Sequence, residues 1–128
     1  MTNRANILGI GNDIIEIDRI RQAYASHGQR FLDRLFTPEE QAYCLKRQDP
    51  CPSLAGRFCA KEAVVKALGC GFGKDASWLD IQILSSSEGK PLVLLSPALN
   101  KRFNQPQLLL SISHSKENAT AVALWLSK

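Results

Sequence analysis

In the first half of the chain, apolar positions recur mainly at helical spacing. One strand comes first, because residues 6–15 are apolar and β-branched with two interspersed glycines. Residues 16–35 follow with a helical pattern that breaks near Gly28. A second helix is predicted after Thr37, where a capping threonine precedes a first-turn proline and a glutamate three residues after the cap. This helix should end before Pro50.

After one more long helix, the second half of the chain has the alternation of strands. That helix is predicted to begin at Ser53 and to end at Gly69, a residue type suited to a left-handed C-cap. Two strands follow at 78–84 and 91–96, and a second hairpin turns around 116–118. Helices followed by strands predict an α+β fold with an antiparallel sheet.

Length and composition are those of an ordinary globular chain. Residues 1–128 are predicted to form a single domain, because 128 residues is a usual domain length. An apolar fraction of 45% with 22% charged residues argues against disorder. The formal net charge is +4 and the pI is about 9.0, which suits an anionic partner such as a nucleotide, an acidic protein, a nucleic acid or a lipid surface. No block of five like charges occurs, which disfavours a nucleic-acid-binding tail.

Cysteine usage favours a reducing compartment. No CxxC pair is present, so zinc and thioredoxin-type sites are disfavoured. We find no secretory signal and no apolar run near the roughly 20 residues that span a bilayer. We therefore expect a cytoplasmic protein without a membrane partner, in which four cysteines are reduced and mostly buried: Cys44, Cys51, Cys59 and Cys70.

The charged residues of the long helix do not share one face, because they alternate with apolar residues around the helix. Glu62 and Lys66 share one edge, one turn apart, while Arg57 and Lys61 share another. One interpretation is ordinary i,i+4 contacts worth a few tenths of a kcal/mol. The other is a carboxylate and a lysine at the lip of a cleft that binds phosphate, with the carboxylate as a hard ligand for magnesium.

A magnesium site would need a second carboxylate, and Asp13 is the leading candidate. It follows a GxG pattern at the end of an apolar segment, where a turn can present its side chain. Glu16 and Asp18 are competing acids, and a capping role for Asp13 is the plain alternative. The two glycines resemble part of a dinucleotide fingerprint, but the third glycine is absent.

Two further segments are candidates for binding. In 111–116, alternation places the serines on one face and Ile112 and His114 on the other, and a structural role is the plain alternative for this histidine. The hydrolase pattern GxSxG is absent, which disfavours serine nucleophile catalysis. The second segment would dock an acidic protein helix, or else form a solvated helix face. Its cations and apolar anchor are Arg19, Arg21, Arg30, Arg34 and Phe31.

In combination these segments resemble a known family over nearly the whole chain. GIGND at 9–13, followed by Arg19, is similar to the N-terminal signature of holo-acyl-carrier-protein synthases, the small bacterial-type phosphopantetheinyl transferases. RFCAKEA at 57–63 with Lys66 is similar to their KEAxxKA helix, and SISHS at 111–115 to their third signature. The resemblance implies a 4′-phosphopantetheinyl transferase fold, with an antiparallel sheet packed against a long helix, and a homotrimer that holds coenzyme A between subunits.

The resemblance also implies a reaction and roles for particular residues. A serine hydroxyl of acyl carrier protein attacks the β-phosphorus of coenzyme A, and adenosine 3′,5′-bisphosphate leaves, in support of fatty acid biosynthesis. Whether a water or a carboxylate accepts the serine proton stays open. Asp13 and Glu62 match magnesium ligands, and Lys66 matches the lysine near the phosphates. Positions around coenzyme A correspond to Arg57, Lys61, Lys66, Lys90 and His114. The carrier protein docks where Arg19, Arg30 and Arg34 lie.

Three positions depart from the usual family pattern. Cys59 stands where alanine or serine is more common, Asn118 where an aromatic or apolar residue is expected, and Asn12 where the family is commonly apolar. These departures concern packing and loop shape, and they leave the ligand positions intact.

Three other functions are compatible with parts of the sequence. A nucleic-acid-binding module would suit the basic pI but lacks aromatic stacking motifs and clustered cations, so we expect no nucleic-acid partner. A non-catalytic scaffold should tolerate loss of Glu62 and Lys66. A different magnesium-dependent phosphoryl enzyme, such as a nucleotide hydrolase, would release nucleotide from coenzyme A without a carrier protein.

Overall fold

A three-stranded antiparallel sheet covering one long helix dominates the computed structural model, which describes residues 6–128. Within that range there are five strands and five α-helices. The strands are β1 (Ile7–Glu16), β2 (Ile81–Ser85), β3 (Pro91–Leu95), β4 (Gln107–His114) and β5 (Asn118–Leu126). The helices are α1 (Ile17–His27), α2 (Gln29–Leu35), α3 (Pro38–Leu45), α4 (Cys51–Leu68) and α5 (Pro97–Arg102).

The larger sheet has the order β1-β5-β4, and both pairings are antiparallel. β5 is the central strand and turns every second side chain toward α4. These inward residues are small and fully or nearly buried: Ala119, Ala121 and Ala123. Small side chains let the sheet lie close to the helix, so the sheet and α4 form one core.

Helix α4 is buried on almost every side. Its first turn contains Pro52, where a proline is tolerated because the backbone N–H has no intrahelical partner. It ends at Gly69, whose φ of 71° is the left-handed conformation that closes a helix. The sequence predicts a start at Ser53, two residues late, because a proline often marks a break but is also tolerated in the first turn of a helix.

The remaining elements pack around the other faces of α4. The break between α1 and α2 falls at Gly28, whose φ is 54°, and α3 begins with the expected capping box of Thr37 and Glu40. β2 and β3 form a separate two-stranded antiparallel sheet. Trp78–Asp80, expected as strand, is a 3₁₀ turn because the Ser77 side chain caps it.

The α+β class with antiparallel sheets is therefore confirmed. No helix within residues 6–128 combines the length and apolarity that crossing a bilayer requires. Of the four free cysteines, Cys44, Cys51 and Cys59 are buried and Cys70 is partly buried, which agrees with the expectation from the sequence.

Candidate active site

The two glycines of β1 let this strand lie directly against the backbone of α4. A Cβ atom added to Gly9 would lie 1.9 Å from the Ala67 carbonyl oxygen, and one on Gly11 would lie 2.1 Å from that of Ala63. Real atoms do not approach so closely, so only glycine fits at either position. The GxG pattern therefore serves packing, and it brings Asp13, on the same face of β1, next to the helix.

Only a narrow stripe of α4 reaches the surface beyond its first turn. From Leu54 to Leu68, every residue is buried except Phe58, Glu62 and Lys66. These three are spaced four residues apart and so lie along one side of the helix. The helix thus presents one ring, one carboxylate and one ammonium to solvent, beside the Asp13 end of β1.

The structure brings together the three residues proposed for catalysis. The Lys66 Nζ donates to the Asn12 carbonyl at 3.0 Å and to Asp13 Oδ1 at 3.3 Å. Burial and the Asp13 carboxylate raise the pKa of Glu62, and the Lys66 ammonium opposes this. Two carboxylates and one ammonium leave a negative charge at this point, which suits a cation.

Cys59 lies beneath these carboxylates, and its thiol is unreactive. Burial, with the nearby charges of Asp13 and Glu62, raises the pKa of the thiol to about 12. The thiol donates to the Ala119 carbonyl at 3.4 Å and is completely buried. It therefore stays protonated at neutral pH, and this departure from the family pattern adds a small packing group without adding a nucleophile.

Lys61 is not at the surface, which corrects the expectation that it contacts coenzyme A. Its side chain has no exposed area and its ammonium pairs with Glu40 Oε1 at 2.7 Å. Burial lowers the pKa of Lys61, while the Glu40 carboxylate acts in the opposite direction. Two backbone carbonyls take its other N–H donors, those of Leu35 and Trp78. The candidate set for phosphate binding therefore loses Lys61.

A second candidate site is a groove of about 590 Å³ at the other end of α4. The Arg57 guanidinium lines it, 7% exposed as a residue, and lies 4.2 Å above the Tyr43 ring. Its Nη1 donates to Ser53 Oγ at 3.2 Å, but its Nε is buried without a hydrogen-bond partner. Within residues 6–128 it forms no ion pair with a carboxylate, so a buried positive charge faces the groove.

The two other residues expected near coenzyme A, His114 and Lys90, differ in their position relative to this groove. His114 lines it from the exposed end of β4, whereas Lys90 is exposed between two lining residues, Gly89 and Pro91. None of Asp13, Glu62 and Lys66 lines it. Asp13 and Glu62 therefore lie apart from this groove, whose own carboxylate, Asp49, is paired with Arg21.

Tyr43 and Arg47 also line the groove and were not among the candidates from the sequence. Arg47 Nη2 donates to the Tyr43 hydroxyl at 2.6 Å, and a hydrogen bond with Ser85, together with the nearby guanidinium groups, lowers the pKa of that hydroxyl. Their spacing of four residues at the end of α3 was the available signal. Nothing in the sequence indicated that Arg57, across the groove, would lie over the same ring.

The residues proposed for carrier docking differ in whether their charge is free to meet a partner. Arg19 is exposed on α1, but Arg21 makes two hydrogen bonds to Asp49, at 3.0 and 3.1 Å, and its charge is offset. The three docking residues on α2 share a cavity of about 270 Å³ with His27 and Leu35; they are Arg30, Phe31 and Arg34.

The outer face of the larger sheet carries exposed apolar side chains among polar ones and is uncovered in the single chain. Ile10 is 66% exposed and Ile14 67%, and Leu109 and Val122 on β4 and β5 are also exposed. The serines of β4 that alternation placed away from Ile112 lie on this same outer face. Adjacent apolar side chains of this kind mark a contact surface.

Comparison with known proteins assigns these features to a family. The model of the 4′-phosphopantetheinyl transferase superfamily matches residues 9–123. A holo-acyl-carrier-protein synthase of Protochlamydia amoebophila is 59% identical over 120 residues, covering 94% of this chain and 98% of the relative. The crystal structure of the Neisseria meningitidis synthase covers 96% of this chain and 100% of its own, at 35% identity and a TM-score of 0.87. The Helicobacter pylori synthase in complex with coenzyme A covers 91% and 98%, at 40% identity and a TM-score of 0.83.

Proposed function

This chain belongs to the 4′-phosphopantetheinyl transferase superfamily, and we propose that Asp13, Glu62 and Lys66 carry the reaction of that family in it. It transfers 4′-phosphopantetheine from coenzyme A to a serine of apo acyl carrier protein, with adenosine 3′,5′-bisphosphate as the second product. The observation that supports the residue assignment is their convergence, since β1 and α4 bring two carboxylates and one half-exposed lysine to one point.

Asp13 and Glu62 fit a magnesium ion. Both are hard oxygen donors, and magnesium in proteins is usually held by one or two carboxylates together with substrate phosphates. Residues 6–128 contain no cluster of three or more acidic, histidine or cysteine ligands, so water and phosphate oxygens would complete the shell. When bound, the ion neutralises the charge of the diphosphate and aligns the reacting groups.

Lys66 would stabilise the phosphate that leaves. Of its three N–H donors, Asn12 and Asp13 use two within the described part of the chain, which leaves one for a phosphate oxygen. The side chain is 51% exposed, so substrate can reach it. Because negative charge grows on the departing phosphate, an ammonium fixed beside it acts most strongly in the transition state.

The cationic groove would hold the remaining phosphate of coenzyme A. The buried guanidinium of Arg57 lacks an anionic partner, and a phosphate would satisfy its Nε. Arg47 and His114 line the same groove, and Lys90 lies at its rim. Asp49 also lines the groove, but Arg21 offsets its charge, so the groove favours an anion over a neutral ligand.

A homotrimer would unite the two sites. Asp13 and Glu62 lie outside the groove of their own chain, and the outer face of the sheet around Ile10 and Ile14 offers an apolar contact. A head-to-tail ring would set the groove of one subunit beside the carboxylates of the next, with coenzyme A between them.

Mixing two impaired variants should therefore raise activity. Asp13→Ala should reduce transfer about 100-fold or more, since a metal ligand is lost, and Arg57→Gln about tenfold or more, since a buried phosphate contact is lost. After subunit exchange of equal amounts, about a quarter of the sites should have both intact halves. Transfer rates before and after exchange, with the mass of the assembly from light scattering, check this. A mixture as inactive as its parts would place both residues in one chain's site.

Carrier docking should depend on Arg19 more than on Arg21, which Asp49 already pairs. Arg19→Glu should raise the KM for carrier protein about tenfold and leave coenzyme A affinity unchanged, because opposite charge mainly speeds the encounter. Salt should weaken the parent chain more than the variant, since exposed charges are screened within about 8–10 Å. Lys101→Glu, an equal charge change on α5, is the control. Loss of coenzyme A binding in Arg19→Glu would move this residue to the nucleotide site.

One experiment tests the function itself. The chain is incubated with coenzyme A, magnesium and apo carrier protein, and the carrier protein is weighed by mass spectrometry. A gain of one phosphopantetheine arm is expected. Nucleotide release from coenzyme A without carrier protein would instead favour a hydrolase.

We propose that this activity takes place in the cytoplasm and supports fatty acid biosynthesis. The four cysteines are all unpaired, as in reducing compartments. Redox-sensitive labelling of the thiols in cells would test the location.

A further inference from the structure

One ion pair of this chain is completely buried. The Lys61 Nζ lies 2.7 Å from Glu40 Oε1, and neither side chain has exposed area. Every other ion pair within residues 6–128 is at least partly exposed. Removing two charges from water is costly, and well-packed apolar residues often replace such a pair without loss of stability. Stability alone therefore does not account for the pair.

Lys61 ties α4 to the end of α2. Besides Glu40, its ammonium donates to the backbone carbonyl of Leu35 at 2.7 Å and to that of Trp78 at 3.1 Å. Leu35 is the last residue of α2, and Trp78 begins the 3₁₀ turn. Lys61 itself directly precedes Glu62, so these bonds fix the turn of α4 that presents the proposed metal ligand.

Glu40 extends the same link to α3 and β2. Its Oε1 accepts from the Thr37 N–H at 2.8 Å, completing the capping box, and its Oε2 accepts from the Ile83 N–H at 2.8 Å. With Lys61 these contacts occupy both carboxylate oxygens. A pair with every donor and acceptor satisfied has one geometry, since any displacement would leave a buried polar group without a partner.

The pair therefore joins α2 to α4, the two helices whose relative position the reaction depends on. Helix α2 bears Arg30, Phe31 and Arg34, which face the cavity proposed for the carrier protein. The Trp78 ring stacks on Phe58 at 4.9 Å between centroids, and Phe58 shares the exposed stripe of α4 with Glu62. The path from the docking helix to the carboxylate thus runs through Lys61.

We propose that Lys61 and Glu40 are a positioning pair, which holds the carrier-docking helix α2 at a set distance from Glu62 so that the carrier serine meets the diphosphate. This role rests on the proposed function, because it presupposes that α2 docks the carrier and that Glu62 serves the reacting phosphate. The pair touches neither substrate. It acts through geometry, and an error of about 1 Å in such geometry can cost about 100-fold in rate.

The test is the neutral double variant Lys61→Met/Glu40→Gln, which removes both charges and keeps similar volume. We expect cooperative unfolding, a kcat at least about tenfold lower, and a KM for carrier protein and a Kd for coenzyme A within about twofold of the parent. A residue pair that only stabilised the fold would lower the melting temperature and leave kcat per folded molecule unchanged. That result would overturn the proposal.

Two controls keep the outcome decisive. Neutralising the exposed pair Arg102–Asp75, 3.3 Å apart, by Arg102→Gln/Asp75→Asn should leave all three constants unchanged. If the double variant does not fold, Glu40→Asp decides, because it keeps the charge but is one methylene too short to hold both Lys61 and the Ile83 N–H. Its kcat should fall, and an unchanged kcat would contradict the positioning role. Failure of the parent chain to load carrier protein would instead refute the proposed function.

Discussion

Changing Glu62 to glutamine is expected to lower phosphopantetheine transfer by about 100- to 1000-fold, because the amide cannot replace a charged ligand of magnesium. Asp13→Asn should cause a loss of similar size. The measurement is the initial rate of carrier loading over a range of magnesium concentrations. Glu39→Gln, which neutralises an exposed carboxylate on α3, is the matched control and should keep full activity. Full activity of the Glu62 variant at limiting magnesium would remove this residue from the metal site.

The same substitution should not weaken the fold. The pKa of Glu62 is raised by burial and by Asp13, so the folded chain holds this proton more tightly than the unfolded chain does. The corresponding stabilisation is complete below the pKa of the unfolded chain and is lost as the pH rises through the pKa of the folded chain. In metal-free buffer at neutral pH, Glu62→Gln should therefore equal or exceed the parent in stability, with the gain vanishing in acid. Urea unfolding at acidic and neutral pH measures this. A less stable variant at neutral pH would mean that the carboxylate is favourably paired in the fold.

Changing Gly11 to alanine is expected to destabilise the chain by at least about 3 kcal/mol, or to prevent folding. The added Cβ would lie 2.1 Å from the Ala63 carbonyl oxygen and 2.7 Å from the Ala67 nitrogen, so backbone would have to move. Separation of β1 from α4 would also draw Asp13 away from Glu62. Any fraction that folds should lose transfer activity.

Gly71→Ala is the matched control, since nothing lies within 4 Å of a Cβ at Gly71. Thermal unfolding and carrier loading of both variants separate the steric effect at Gly11 from the general effect of replacing a glycine. A Gly11→Ala chain as stable as Gly71→Ala would show that β1 does not rest on the helix backbone as described.

The element pattern was readable from the sequence wherever a local rule governed it. Thr37 capped α3 and Gly69 ended α4 as expected, because capping depends on side chains and φ values within a few residues. Apolar alternation predicts a strand at Trp78–Asp80, and it does not reveal the turn that the preceding serine caps.

The candidate catalytic residues were also visible in the sequence, but the reasons for their neighbours were not. Asp13, Glu62 and Lys66 could be chosen from residue type, helical spacing and family resemblance, and the structure brings them together. The GxG pattern could not be interpreted locally, because its purpose is a contact with a helix backbone more than fifty residues away. The packing role of these glycines was not predictable because the residues they contact are far away in the sequence.

The sequence by itself thus determined the α+β order and the capped helices, because each depends on neighbours a few positions apart, and it supplied Asp13, Glu62 and Lys66 as candidates for the reaction. Only the tertiary structure decided which charged side chains are buried and which partners they have. Lys61 and Lys66 carry the same group on the same helix, yet one is buried against Glu40 and the other is half exposed beside Asp13. A lysine's role follows from the burial and the partner of its ammonium. Both depend on which distant segments pack against that side of α4, and no local pattern encodes them.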